Sequence, residues 1–166
     1  MKALMVYYSR TGNTRRVADA VVECMRDSAE VDVEELIDRR NRRGIGGSIG
    51  AGKDAMFKRP TEIDPVKADV ASYDVVLIGT PVWAFTMCPA VRTFLAEHAR
   101  QVKQTVFFLT TGGSGIERTL KHMQEMCRKD PLATLAVTEK ELKRFDNVTS
   151  RISAFVEEVL AAGDGA

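Results

Sequence analysis

Cysteine and histidine are scarce in this chain, and each scarcity removes a class of chemistry. The thiols are Cys24, Cys88 and Cys127, an odd count with no CxxC spacing. With only two histidines, His98 and His122, they form neither a disulfide framework nor a zinc-ligand pattern, so no metal site is expected. Two such histidines also suggest no Ser-His-Asp or Cys-His pairing. The thiols read as buried, reduced groups of a cytoplasmic protein. An excess of one charge sign is missing as well: 24 Lys+Arg face 23 Asp+Glu, for a net charge of +1. That balance argues against nucleic-acid binding, which usually needs a basic domain, and against a disordered acidic module. No apolar run approaches the about 18 residues of a membrane span, so no membrane partner is expected. The apolar start, Met1 to Tyr8, turns polar at Ser9 and is too short for the core of a signal peptide.

What is present fits one globular domain over residues 1–166, with 45% hydrophobic and 28% charged residues. A chain of this size buries roughly 70% of its unfolded surface, enough for a sizeable core. Ala3 to Tyr8, Val75 to Ile78 and Val106 to Leu109 are continuous apolar runs, the look of strands buried on both faces. Val31 and Val33 alternate with Asp32 and Glu34, and Leu135 and Val137 alternate with Thr134, Ala136 and Thr138. These two segments suit edge strands. Helical stripes lie between: Val17, Val21, Cys24; Val91, Phe94, Leu95, His98 behind Pro89; Ile116, Leu120, Met123, Cys127; and Ile152, Phe155, Val156, Val159. Strands alternating with helices predict an α/β fold, an open three-layer doubly wound parallel sheet.

One stretch breaks the rhythm. Residues 38–73 hold only a weak helical candidate at Ala51 to Lys58. A basic cluster, Arg39, Arg40, Arg42 and Arg43, precedes five glycines between Gly44 and Gly52, which reads as an insertion at about residues 38–60. Gly47 to Lys53 has the glycine and lysine spacing of a P-loop, but Asp54 stands where the hydroxyl ligand of magnesium belongs, and no strand precedes it. Gly44-Ile45-Gly46 fails the dinucleotide spacing because Ile49 takes the third glycine position. The arginines read as a solvated charge run, or as an attraction for an acidic partner or a cofactor's extra phosphate.

Three loops carry the chemistry. Ser9-Arg10-Thr11-Gly12-Asn13-Thr14 joins the first inner strand to the first helix. Its hydroxyls, the small Gly12 and the free N–H groups of a helix start suit a phosphate. Gly79-Thr80-Pro81-Val82-Trp83-Ala84-Phe85 follows the second inner strand and holds the only Trp, a stacking surface for a planar ligand. Thr110-Thr111-Gly112-Gly113-Ser114-Gly115 follows the third, with small residues that permit close approach. All three sit at the carboxyl edge of the sheet, where such folds bind ligands. One ligand touching all three has a phosphate at one end and a flat ring at the other. Cys88, close behind the Trp loop, reads as a packed thiol, His98 as a boundary histidine and His122 as exposed.

Val6 to Thr14, with Val17 and Ala18 following, resembles the flavodoxin signature, and the other two loops resemble the ring-binding loops of flavodoxin-like proteins. The similarity runs from residue 3 to about 160. It implies a five-stranded sheet in the order 2-1-3-4-5, with the second and fifth strands as edges, and FMN as cofactor. It assigns the phosphate to the loop Ser9, Arg10, Thr11, Gly12, Asn13 and Thr14. The ribityl and ring parts fall to Thr80, Pro81, Val82, Trp83 and Ala84, and to Thr111, Gly112 and Gly113. Many flavodoxins are acidic and carry an aromatic in the last loop; this chain is balanced and its Thr111 to Gly115 loop has none. One ring face is then open, or covered by Phe85 or by the insertion. The implied function is an oxidoreductase passing electrons through flavin N5 to a quinone, a small acceptor or a partner protein, with no side chain in a strict catalytic role. The alternative is a non-enzymatic flavodoxin-type electron carrier. Expected partners are a redox partner protein, or NAD(P)H and a small acceptor, with a homodimer left open.

Overall fold

The computed structural model describes residues 1–39 and 61–163. Most of the insertion, including Arg40, Arg42, Arg43, the Gly44 to Gly52 run and the helical candidate at Ala51 to Lys58, lies outside the described residues.

The three inner strands are β1 (Lys2–Tyr7), β3 (Val75–Trp83) and β5 (Gln104–Thr111). Their apolar runs are continuous because each strand has helices on both sides. Ala3, Met5 and Tyr7 point to one face, where α1 (Asn13–Met25) and α5 (Asp146–Gly163) cover them. Leu4, Val6 and Tyr8 point to the other, under α2 (Pro89–His98) and α3 (Ile116–Cys127). Val75, Leu77, Val106 and Phe108 join the first layer, and Val76, Ile78 and Phe107 join the second. Phe107 and Phe108 are 0% exposed, and full burial of a phenylalanine contributes about 1.5–3 kcal/mol.

β2 (Glu30–Glu35) and β6 (Thr134–Thr138) form the edges of a parallel sheet ordered β2-β1-β3-β5-β6. The order differs from the expected numbering only because a short antiparallel strand, β4 (Thr86–Met87), intervenes in the chain and pairs with the end of β3. With β4 set aside, the five parallel strands have the order 2-1-3-4-5. A short helix, α4 (Glu139–Leu142), links β6 to α5 and opens on a reciprocal cap between Thr138 and Glu141.

Several expectations need correction. β3 does not end at Ile78; it runs to Trp83 and turns back as a hairpin, so most of the expected Gly79 to Phe85 loop is strand. The β1 register stops at Tyr7 opposite Gly79, so β3 has an open side where Pro81 stands, and proline is tolerated at such a place. β5 likewise continues through Thr110 and Thr111. On α1 the buried stripe is Thr14, Val17, Ala18, Val21 and Met25. It centres between Val17 and Ala18, which leaves Cys24 on the flank and exposed. Cys88 and Cys127 are buried, and burial pushes both thiols up to about 11.

The ends of the insertion are pinned. Asp38 bridges Ile63, Arg39 N–H donates to the Glu62 carbonyl at 2.9 Å and Asp64 N–H to the Ile37 carbonyl at 3.0 Å. The Arg39 guanidinium bonds the Asp64 carboxylate at 2.7 Å. Residues 39 and 61 therefore leave and re-enter the fold side by side, beyond the carboxyl end of β2.

Two outcomes follow from this packing. Gly79 lies opposite Phe108 in the ladder, and a Cβ there would stand 2.0 Å from the ring's Cζ. Gly79→Ala should therefore lower stability by about 1–3 kcal/mol in urea unfolding, and Phe108→Leu in the same chain should recover part of it. A thiol titration of the native protein with a chromogenic disulfide should count one reactive group, Cys24, and all three only after denaturation.

Candidate cofactor site

The phosphate-loop candidate begins where β1 ends. Gly12 is the N-cap of α1 and holds φ at 90°, a left-handed backbone that favours glycine. The N-cap position itself supplies no side-chain cap, and the first-turn N–H groups of Asn13 and Thr14 have no intrahelical partner. The third is taken: Arg15 N–H donates to Ser9 Oγ at 3.2 Å. Arg10, Thr11 and Gly12 are exposed and Asn13 half-buried. Arg15 turns away and clamps the Glu35 carboxylate with two bonds of 2.7 and 2.6 Å, tying the helix start to the end of β2.

Thr14 has a different part. It is 1% exposed, and its hydroxyl meets that of Thr110 at 2.8 Å. This bond joins the first loop to the third, so Thr14 faces outward only through its backbone. Thr80 is also fully buried; its hydroxyl donates to the Pro81 carbonyl and accepts from Cys88 N–H at 3.1 Å. It fixes the hairpin onto the start of α2 rather than facing a cleft. Thr111 Oγ1 accepts from Gly113 N–H and Ser114 N–H and donates to the Ser114 carbonyl. This folds the third loop back on itself and leaves Gly112 and Gly113 outward.

The hairpin carries the ring candidates. Trp83 pairs with Thr86, and the two residues between them, Ala84 and Phe85, both have positive φ, at 45° and 66°. A type I′ turn demands this, and non-glycine residues rarely supply it. Trp83 is half-buried, edge-on to Tyr8 with ring centroids 5.6 Å apart. The Arg10 guanidinium lies 5.9 Å from the Trp83 ring centroid, which brings the first and second loops together. Pro81 and Val82 are partly exposed beside it, and Ala84 and Phe85 are exposed at the tip. The tip rests on the third loop: a Cβ at Gly115, itself at φ 81°, would come within 2.8 Å of Phe85 Cα and 3.0 Å of Val82 Cγ1.

The three loops thus meet on one rim, joined by Thr14–Thr110, Arg10–Trp83 and Gly115–Phe85. At Gly12, Gly112 and Gly113 a Cβ would meet nothing within 4 Å, so the rim is open above all three. Its phosphate end offers N–H donors, hydroxyls and Arg10, with no carboxylate in residues 9–14. That donor set and an aromatic ring at the other end fit a phosphorylated flat-ringed cofactor such as FMN. Cys88 stays out of it, with no exposed surface. His98 is half-buried against Phe94 on α2, away from the three loops.

Sequence reasoning missed a neighbouring group. Arg92 on α2 donates to Thr86 Oγ1 at 2.9 Å, and that hydroxyl also meets His122 Nδ1 at 2.9 Å. His122, expected to be exposed, is half-buried, and burial, then Arg118 and Arg92, hold its pKa below the ordinary value. No periodicity marks Arg92, whose neighbours Val91, Thr93, Phe94 and Leu95 are all buried.

A doubly wound parallel sheet with its candidate site at the strand carboxyl ends defines the class: a flavodoxin-like α/β protein. The chain belongs to the flavodoxin family, whose family model matches residues 2–152. Among solved structures, a flavoprotein in complex with FMN from Lactobacillus acidophilus is 20% identical, with a TM-score of 0.66 over 87% of this chain and 98% of that one. A flavodoxin from the domain Archaea is 17% identical, with a TM-score of 0.57 over 95% and 99%. Oxidised flavodoxin 1 from Bacillus cereus is 16% identical, with a TM-score of 0.60 over 95% and 96%. At these identities the likeness is one of fold. No described helix is long and apolar enough to cross a membrane.

The bond between loops is open to a direct test. Thr14→Val strands a buried Thr110 hydroxyl and should cost about 1–3 kcal/mol in chemical unfolding. The double change Thr14→Val with Thr110→Val should cost less than the sum of the two single changes.

Proposed function

We propose that this chain is an FMN-binding oxidoreductase. The carrying observation is the single rim on which an N–H-rich helix start and a half-buried Trp83 are joined through the third loop. Backbone N–H groups of residues 11–14 hold the phosphate, with Ser9 and Thr11 hydroxyls and Arg10 beside them. The helix dipole adds to the attraction. Trp83 flanks the ring, and backbone groups of Pro81 to Ala84 and of Gly112 and Gly113 line its edge. Bound FMN supplies reversible one- and two-electron chemistry at ring N5. The chain's own part is to orient the ring, exclude water from the inner face and leave the outer face approachable. The absence of an aromatic from residues 110–115 supports the last point and favours a small stacking reactant over a pure protein-to-protein carrier. NAD(P)H and a small acceptor, or a partner protein, then exchange electrons there. The free thiols suit a reducing compartment such as the cytoplasm.

A fluorescence titration of apoprotein into FMN should show quenching with a Kd of micromolar or tighter, about −8 kcal/mol. Gly12→Ala should weaken FMN but leave riboflavin, which lacks the phosphate, little changed. Anaerobic addition of NADH or NADPH should then bleach the oxidised flavin band. Absence of quenching rejects the cofactor; quenching without bleaching by either nicotinamide, but with reduction by a protein reductase, leaves the carrier.

A further inference from the structure

Next to the rim lies a basic group with no counter-anion among the described residues. The Arg92 guanidinium is half-buried, yet among the described residues no carboxylate lies within ion-pair distance of it. Its partners are neutral: Thr86 Oγ1 at 2.9 Å and Met126 Sδ at 4.0 Å. Its Nε is buried with no hydrogen-bond partner. A cation drawn out of water without a counter-charge is costly, and an anion alongside would offset that cost.

Thr86 sets the polarity of the group. A guanidinium only donates, so the Thr86 oxygen accepts from Arg92, while the direction of its bond to His122 Nδ1 follows the imidazole tautomer. In the tautomer that accepts at Nδ1, the imidazole carries its proton on Nε2 and is itself a donor. Arg118 and Lys121, exposed on α3, add positive field at His122, opposed there by Glu125. Three cations against one carboxylate leave a net appetite for an oxyanion.

The location ties this group to the rim. Thr86 is the cross-strand partner of Trp83 and directly follows the exposed Phe85 at the hairpin tip. A molecule stacked at the Trp83 end of the rim can therefore extend over the tip toward α3. We propose that Arg92, His122 and Arg118 form a subsite for a phosphate group of the small molecule that exchanges electrons at this rim, namely a nicotinamide dinucleotide. The assignment of the dinucleotide rests on the FMN oxidoreductase reading above; the phosphate site itself does not. Guanidinium and phosphate form charge-assisted, often paired hydrogen bonds, the chemistry this donor set suits.

Calorimetric titration of the full chain, with and without FMN, tests the subsite directly. The probes are inorganic phosphate, 2′-phospho-ADP-ribose and ADP-ribose, none of which reacts with a flavin. Phosphate and both nucleotide fragments should bind, the fragments more tightly than phosphate alone. Arg92→Met and Arg118→Ala should each weaken them about tenfold or more, the loss of a charge-assisted hydrogen bond. Arg118 is exposed, so its variant reads binding even where Arg92→Met unfolds the chain. FMN affinity should stay unchanged in Arg118→Ala. Binding of none of the probes, or binding that both folded variants retain, overturns the subsite. Binding of phosphate with no advantage to either fragment overturns the dinucleotide. A chain that binds phosphate here but takes no FMN overturns the cofactor reading and leaves the subsite standing.

Discussion

Burial of β1, β3 and β5 on both faces is the constraint from which the rest of the molecule follows. A strand covered by helices on either side has no place for a polar side chain along its middle, which is why Ala3 to Val6 and Val75 to Ile78 are wholly apolar and wholly enclosed. Polar residues are confined to the strand ends. At the carboxyl end they accumulate on three adjacent strands, because the order β2-β1-β3-β5-β6 puts the end of β1 beside β3 and β3 beside β5. The crossover from β1 to β2 places α1 on one face, and the crossover from β3 to β5 places α2 on the other. The gap opened by that reversal is where the phosphate loop and the hairpin face one another.

Within the rim, threonine does the joining. Thr14, Thr80, Thr86, Thr110 and Thr111 are all buried, and each hydroxyl is committed to a neighbour within the chain. A buried hydroxyl without a partner costs about 1–3 kcal/mol, so such bonds specify one arrangement of loops more than they add stability. On the proposed reading, ligand contacts then fall to backbone N–H groups and to glycines, whose geometry the threonines set. The hairpin shows the same division. Its turn bears positive φ at Ala84 and Phe85, a strained choice, and the close fit of Phe85 over Gly115 holds it there.

The layers, the edge strands and the placement of all three loops at one sheet edge were legible from apolar runs and turn residues. So was the last helix, whose Ile152, Phe155, Val156 and Val159 are all buried. What period and composition do not report is where a strand stops when its neighbour has already ended. β3 outruns β1 by several residues, and Pro81 looks like a breaker although it stands where one flank is unpaired. Nor does a residue's type reveal how its hydroxyl is used. Thr14 and Thr80 look like phosphate and ring ligands in the sequence, and only their partners, 96 and 8 residues away in the chain, show them to be fastenings. Arg92 gave no signal because a single long side chain can reach the boundary from an otherwise buried helix.

The charge balance takes on a spatial meaning. A net charge of +1 suggests an even surface, but ion pairs consume the charges unevenly. Arg15 is bound to Glu35, Arg39 to Asp64 and Arg151 to Glu141, while among the described residues Arg92 has only neutral partners. The exposed pairs contribute little to stability, about 0–1 kcal/mol each. Among the described residues, positive charge persists at the helix start around Gly12, where the dipole and Arg10 act, and between α2 and α3, where no ion pair engages Arg92. On the reading proposed above, the flavin phosphate meets opposite charge at the first place and the dinucleotide phosphate at the second. A near-neutral protein can in this way favour an anionic group locally, without the uniformly basic domain that nucleic-acid binding needs.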